Sequence, residues 1–103
     1  QVSLGENSDD NGPVSSISLS GNGSSVTWSI NGYSQNGFKI VWSKNSQPTY
    51  PTREGDKYIY LSEPSSRNTT LDAFNGSGTY YVRVCEYLGG ACGVYSNQIQ
   101  VSL

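Results

Sequence analysis

The residues of this sequence that could do chemistry are two cysteines, a few carboxylates and a loop rich in proline and tyrosine, because the chain contains no histidine. Histidine is the usual general base at neutral pH, and both Ser-His-Asp and Cys-His catalysis depend on it. A glycosidase can work with two carboxylates, and the closest pair outside residues 1–12 is Glu54 with Asp56. These two lie in a polar turn where solvation explains them, so we expect no enzyme activity and no cofactor.

Cys85 and Cys92 lie on either side of the turn-like stretch EYLGGA. If they face each other across a hairpin, the pairs opposed in that register are Val84 with Gly93, Val82 with Tyr95, and Tyr80 with Asn97. The apolar residues of both strands then share one face, provided that no bulge intervenes. Both cysteines would lie on the solvent side of the sheet.

A disulfide is the predicted state of this cysteine pair, because two free thiols on the surface of a secreted protein would be reactive. Closing so short a loop is expected to stabilise the fold by about 2.5 kcal/mol. The alternatives are a reduced pair in the cytosol or half of a zinc site, although zinc normally takes four Cys or His ligands.

The stretch 43–56 contains two prolines and no alternation, and it is therefore predicted to be a long loop. Tyr50 lies between these prolines, whose fixed φ angles could hold its ring out to stack on a sugar or a neighbouring protein. Tyr58 and Trp42 are further stacking candidates. The alternative is that Tyr50, Tyr58 and Tyr60 cover the edge of a sheet.

Asn7, Asp9 and Asn11 place oxygen-bearing side chains at alternate positions before a glycine, as calcium-binding loops do. Ser18 stands where the closing bidentate glutamate of such a loop would fall. We therefore expect residues 1–12 to be a solvated, flexible linker without a metal. Stiffening of this linker by calcium is the alternative.

The charge of the chain excludes some partners. A formal net charge of −2 and a pI near 4.8 offer no basic stripe for nucleic acid or anionic membrane. No window of about 18 apolar residues is present, so we expect no membrane insertion. The chain begins with neither Met nor a signal peptide, and we expect it to be a processed piece of a larger protein.

Ser, Gly, Asn and Thr supply 45 of the 103 positions, and polar and apolar residues alternate with period two. This pattern predicts short strands joined by tight turns in one domain. The predicted strands lie around residues 14–20, 26–30, 38–42, 57–62, 69–73, 80–87 and 95–103. About seven strands of this kind predict an all-β, antiparallel sandwich of two sheets. Phe38, Ile40 and Trp42 should face its core, and Lys39 and Val41 should face away.

Over roughly residues 13–103 the sequence resembles a fibronectin type III domain, or a close immunoglobulin-like relative, of a microbial surface protein. In that family a tryptophan on the second strand packs at the centre of the core, and a leucine precedes a turn and a Tyr-x-Val-x-Val strand. Both features are present, and YSNQIQV fits the last strand. The resemblance implies that Trp28, Leu71, Tyr80, Val82 and Val84 are core residues. The alternation adds Ile40 to this predicted core.

The sequence also departs from this family. NGSG replaces the usual Pro-Gly after the fifth strand, and a cysteine-bridged hairpin is not a general family feature. The stretch REGD at 53–56 is not the Arg-Gly-Asp motif, so integrin binding is unsupported. The resemblance implies a sandwich scaffold and an extracellular setting, but such scaffolds host many functions.

The tetrapeptide QVSL occurs twice, at Gln1 to Leu4 and at Gln100 to Leu103. One interpretation is that the chain is one period, about 99 residues long, of a tandem array in which residues 1–12 link domains of residues 13–103. Another is that Gln1, Val2, Ser3 and Leu4 add as a strand to the sheet edge of a neighbouring subunit. Chance repetition in a chain of biased composition is the third.

These observations predict a non-enzymatic, extracellular or cell-surface β-sandwich that acts as a structural or adhesive unit of a tandem array or filament. Its predicted partners are neighbouring copies or domains of the same protein. The alternative is a carbohydrate-binding accessory module of a secreted enzyme, with Tyr50 and Tyr58 as its stacking residues.

Overall fold

The computed structural model describes residues 13–103, in which every regular element is a β-strand. The eight strands, numbered here in chain order, are β1 (Ser16–Asn22), β2 (Ser25–Asn31), β3 (Phe38–Ser43), β4 (Lys57–Leu61), β5 (Asn68–Thr70), β6 (Thr79–Tyr87), β7 (Cys92–Tyr95) and β8 (Ile99–Ser102). The predicted assembly segment Gln1 to Leu4 and the calcium candidates Asn7, Asp9 and Asn11 lie outside the described residues.

The strands form two antiparallel sheets, so the prediction of an all-β, two-sheet sandwich is confirmed. In the smaller sheet, β2 lies between β1 and β5. In the larger sheet, β3 lies between β4 and β6, and β6 also pairs with both β7 and β8. Tight turns join β1 to β2 and β6 to β7, as antiparallel neighbours allow.

The core lies between the facing sides of the two sheets. Its six predicted members, Trp28, Ile40, Leu71, Tyr80, Val82 and Val84, are all buried there, with exposures of 5% or less. Alternation produces this arrangement, because every second side chain of β1, β2 and β6 points to the same face. Burying a large apolar side chain completely stabilises the fold by roughly 1.5–3 kcal/mol.

The closing hairpin does not have the register predicted from the cysteines. Tyr80 pairs with Val101 and not with Asn97, and the register shifts between Cys85 and Tyr87. The predicted register is therefore wrong. It assumed two uninterrupted strands, whereas the ladder contains an irregularity of the β-bulge type.

The last strand is split into β7 and β8 by residues 96–98, which explains why there are eight strands and not about seven. The N–H of Ser96 donates to the Val84 carbonyl at 2.7 Å, and the Val84 N–H donates to the Ser96 hydroxyl at 2.9 Å. Asn97 then reaches across to β1, accepting from the Leu19 N–H at 2.8 Å and donating to the Leu19 carbonyl at 3.0 Å. The side-chain amide thus pairs the middle of a sheet edge that would otherwise be free.

Cys85 and Cys92 form the predicted disulfide, with their Cα atoms 5.6 Å apart. The prediction that both lie on the solvent side is only partly right, because Cys85 is fully buried and Cys92 half-buried. Cys85 on β6 pairs with Lys39 on β3. The Lys39 side chain and the rings of Tyr50 and Tyr87 beside it occupy the outer face of the sheet. A disulfide is typical of proteins that mature in an oxidising environment.

The described chain enters and leaves the sandwich at opposite ends. At what we call the entry end, the Val14 N–H donates to Glu86 Oε2, near the last residue of β6, at 3.1 Å. At the exit end, the Leu103 N–H donates to the Gly78 carbonyl, just before the first residue of β6, at 2.9 Å. The stretch of β6 between these two points is about 24 Å long at the usual rise of a strand.

Candidate functional site

Five side chains on the outer face of the larger sheet form a group that we call the tyrosine–lysine cluster: Lys39, Tyr50, Tyr58, Tyr60 and Tyr87. Lys39 is on β3 and pairs across the ladder with Tyr60 on β4. Successive side chains of a strand point to opposite faces of the sheet. Because Phe38 and Ile40 face the core, Lys39 points away from it. Tyr87 ends β6, and Tyr50 comes from the loop between β3 and β4.

The ammonium group of Lys39 lies among the four rings of the cluster. Its Nζ is 4.5 Å from the ring centroid of Tyr50, 4.2 Å from Tyr58, 4.4 Å from Tyr60 and 4.7 Å from Tyr87. These distances are well inside the range in which a cation is attracted to an aromatic face. Lys39 is only 5% exposed, and within residues 13–103 no carboxylate forms a salt bridge with it. The rings thus take the place of the acidic partner that a buried lysine usually has.

The rings also contact one another edge to face. The centroids of Tyr50 and Tyr58 are 5.0 Å apart, those of Tyr60 and Tyr87 are 4.9 Å apart, and those of Tyr50 and Tyr87 are 5.9 Å apart. Such T-shaped pairs contribute about 0.5–1.5 kcal/mol each beyond the area they bury. Tyr58 and Tyr60 remain 41% and 42% exposed, so the cluster presents two aromatic side chains to solvent on the strand at the sheet edge.

The loop between β3 and β4 is folded against the sheet. The Tyr95 hydroxyl accepts a hydrogen bond from the Tyr50 N–H at 2.9 Å and donates to the Tyr50 carbonyl at 3.3 Å. Arg83 donates to the Pro48 carbonyl at 3.1 Å and stacks 4.1 Å from the Tyr95 ring centroid. The prediction that the loop holds the Tyr50 ring out is wrong, because these contacts draw the loop onto the outer face.

Trp42, a further stacking candidate, is fully buried and cannot stack on a ligand, so that prediction is also wrong. Its indole N–H donates to the Asp72 carbonyl at 2.9 Å. Tyr58 does have an exposed ring at the edge of the sheet, as both the stacking prediction and the edge-covering alternative require. Whether it binds a ligand stays a prediction.

Two ionisable groups on the outer face have shifted pKa values. Partial burial raises the pKa of Tyr87 above its usual 10.0, and the other three phenols of the cluster raise it further because they would carry the same charge. Burial lowers the pKa of Arg83 below its usual value, and Tyr95 opposes this effect. Tyr87 therefore stays protonated at neutral pH.

Replacing Lys39 by methionine is expected to lower the free energy of unfolding by about 1 kcal/mol. The substitution keeps the aliphatic stem but removes the charge. We expect the lost attraction to the four ring faces to outweigh the gain from no longer burying an ammonium group. Urea unfolding measures the difference. Lys44→Met is the matched control, because Lys44 is exposed and its Nζ is 5.6 Å from its ring partner, Tyr80. A free energy of unfolding equal to or above that of the unsubstituted chain would mean that the desolvation of Lys39 costs at least as much free energy as its interaction with the rings contributes.

Sequence patterns alone do not indicate Lys39 and Tyr87 as members of this site. Alternation predicts only that Lys39 faces away from the core and that Tyr87 belongs to a strand. The signal that could have indicated the site is the alternation of Tyr58 and Tyr60 opposite a single lysine, since these residues share a face of neighbouring strands. The contribution of Tyr50 could not be read from alternation, because it comes from a loop.

The carboxylates considered for glycosidase chemistry are not brought together as a catalytic pair. Asp56 is paired with Arg53, its Oδ2 lying 2.7 Å from the arginine Nε. Its other oxygen, Oδ1, is buried without a hydrogen-bond partner among the described residues. Glu54 is exposed in the same turn. The arrangement holds a turn together and provides no second positioned carboxyl group.

No protein family model, curated protein or solved structure matches this chain. The structure by itself establishes a two-sheet β-sandwich with one disulfide. Residues 13–103 contain no helix that could span a membrane.

Proposed function

We propose that this chain is a non-enzymatic, extracellular β-sandwich module of fibronectin type III-like or immunoglobulin-like type that joins copies of itself end to end. In this role each copy is one rigid domain of a tandem array or filament. The observation that carries the proposal is the placement of Val14, near the start of the described residues, and Leu103 at opposite ends of the sandwich.

End-to-end joining depends on where the chain enters and leaves a domain. A chain that entered and left at the same end would force the next copy to fold back beside the first. Here β6 separates Val14 from Leu103 by most of its length, so a following copy would extend the array along the strand direction. Pulling on such an array would load the sandwich from end to end.

The family assignment within this proposal is supported by Tyr80. Its hydroxyl accepts a hydrogen bond from the Asn75 N–H at 2.9 Å and donates to the Gly76 carbonyl, four residues upstream. A tyrosine near the start of a core strand that bonds back in this way is the tyrosine corner of immunoglobulin-like sandwiches. The disulfide supports the extracellular part of the proposal, because such bonds persist in oxidising compartments.

A chain that contains two complete copies tests the proposal by small-angle X-ray scattering. We expect its longest dimension to be roughly twice that of the single chain. A longest dimension close to that of one copy would contradict the end-to-end arrangement. Strand addition through the N-terminal tetrapeptide makes a different prediction: the single chain would polymerise by itself, and Val2→Asp with Leu4→Asp would abolish the polymer.

Carbohydrate binding is the second candidate function, and the exposed rings of Tyr58 and Tyr60 favour it. A glycan array probed with the single chain tests this function. Binding that is lost on Tyr58→Ala but kept on Tyr33→Ala would support it, because Tyr33 is equally exposed, at 42%, and lies outside the cluster. No binding, or equal loss in both variants, would count against a site on this face.

A further inference from the structure

Two charged side chains at opposite ends of the sandwich have no oppositely charged partner among residues 13–103. Glu86 lies at the entry end and Lys44 at the exit end, and neither takes part in either salt bridge of the described chain. Glu86 is only 5% exposed, whereas Lys44 is open to solvent. A buried carboxylate without a cation is costly, so its surroundings indicate what it could bind.

Glu86 lies at a cleft of about 240 Å³ at the entry end. The walls of this cleft include Pro13, Tyr33, Asn36, Tyr87 and Leu88. Tyr33 is 42% exposed and Leu88 56% exposed, which makes them large apolar groups at the surface. Among the described donors, the Val14 N–H binds Oε2 of the carboxylate at 3.1 Å. A carboxylate at a cleft with aromatic and apolar walls suits an ammonium group on an alkyl stem. The ammonium group would pair with the carboxylate, and the methylene groups of the stem would pack against the walls.

Such a group is present at the other end of the same chain. Lys44 follows β3, and its Nζ donates to the Ser77 carbonyl at 3.0 Å. The neighbouring Gly78 carbonyl accepts the hydrogen bond from Leu103, the last residue of the chain. Lys44 therefore marks the end of the sandwich that would face the next copy in an array.

We propose that the Glu86 cleft of one copy binds the Lys44 ammonium group of the preceding copy. This inference rests on the end-to-end array proposed above and adds the contact that would orient successive copies. In a two-copy chain, residues 1–12 of the second copy separate Leu103 from Pro13, a length of chain that can reach across roughly 40 Å when extended. A covalent connection of this length keeps the two groups at a high effective concentration, so a contact that is weak between free chains can form.

The test uses the rate at which an N-hydroxysuccinimide ester acylates Lys44, followed by mass spectrometry. In a two-copy chain whose second copy carries Lys44→Met, only Lys44 of the first copy is present. We expect it to react several-fold more slowly than Lys44 of the single chain. In the reverse variant, with Lys44→Met in the first copy, the remaining Lys44 faces no following copy and should react at the rate of the single chain.

Glu86→Gln supplies the matched comparison, because glutamine keeps an acceptor for the Val14 N–H but carries no charge. Placed in the second copy it should abolish the protection of Lys44, and placed in the first copy it should leave the protection unchanged. A second measurement needs no variant and uses two amides beside Glu86: that of Val14, and that of Gly93, where an added Cβ would lie 2.7 Å from Glu86 Oε1. n-Butylammonium chloride, compared with sodium chloride at equal ionic strength, should shift the NMR signals of both amides in the single chain.

The outcomes separate this inference from the function on which it rests. A two-copy chain that is extended in scattering but shows no protection of Lys44 overturns the inference and leaves the array in place. Protection that survives Glu86→Gln in the second copy also overturns it. Shifts with n-butylammonium but no protection would mean that the cleft takes an ammonium group from another source, and the proposed contact would be wrong. A two-copy chain no longer than one copy removes the array itself.

Discussion

Replacing Trp42 by alanine is expected to lower the free energy of unfolding by about 4 kcal/mol, the largest effect of any substitution considered for this chain. Trp42 is fully buried, and its ring meets the Phe74 ring edge-on at a centroid distance of 5.9 Å. Truncation leaves a cavity and removes the hydrogen bond to the Asp72 carbonyl. Thermal and urea unfolding, monitored by circular dichroism, measure the loss.

The two tryptophans of the chain offer a sharper comparison. Trp28 is also buried and meets Phe38 edge-on at 5.7 Å, but its indole N–H has no hydrogen-bond partner among the described residues. Trp42→Phe therefore costs a hydrogen bond that Trp28→Phe does not, and we expect it to be more destabilising by about 1 kcal/mol. Equal losses in the two variants would mean that the hydrogen bond to Asp72 contributes nothing, or that Trp28 has a partner of its own.

Gly37→Ala should be almost as damaging, with an expected loss of about 3 kcal/mol. Gly37 has a φ of +87°, and an added Cβ would lie 2.1 Å from the Leu61 carbonyl oxygen, a backbone atom that cannot move aside cheaply. The Gly37 carbonyl accepts hydrogen bonds from the Ser34 hydroxyl and from the Tyr87 N–H. The collision would therefore also disturb Tyr87 of the tyrosine–lysine cluster. Urea unfolding of the variant measures the loss.

Gly55→Ala is the control that isolates the collision. Gly55 has nearly the same backbone angle, a φ of +90°, but an added Cβ would meet nothing within 4 Å. It should lose only the cost of a left-handed conformation, about 1 kcal/mol. If both variants lost the same amount of stability, the close approach of Gly37 to Leu61 would have no energetic consequence.

Lys39 is the residue whose environment differs most clearly from the one that the sequence predicts. Alternation along β3 predicts that Lys39 points away from the core, and it does. The same rule predicts a solvated ammonium group, whereas the side chain is almost fully buried. The difference arises because Tyr50 and its loop fold onto the sheet, held by the Tyr95 hydroxyl. Such contacts between residues distant in sequence leave no periodic signal.

The sequence by itself determined the class of fold, the inward faces of the strands and the disulfide, because period-two alternation and the spacing of two cysteines act through neighbouring positions. Only the tertiary structure decided the register of the last hairpin, since a hydroxyl at Ser96 replaces a backbone acceptor and breaks the strand. It also brought four tyrosines around one lysine and placed Glu86 and Lys44 at opposite ends. These features depend on how strands and loops that are distant in the sequence pack against one another, and no local sequence pattern encodes that packing.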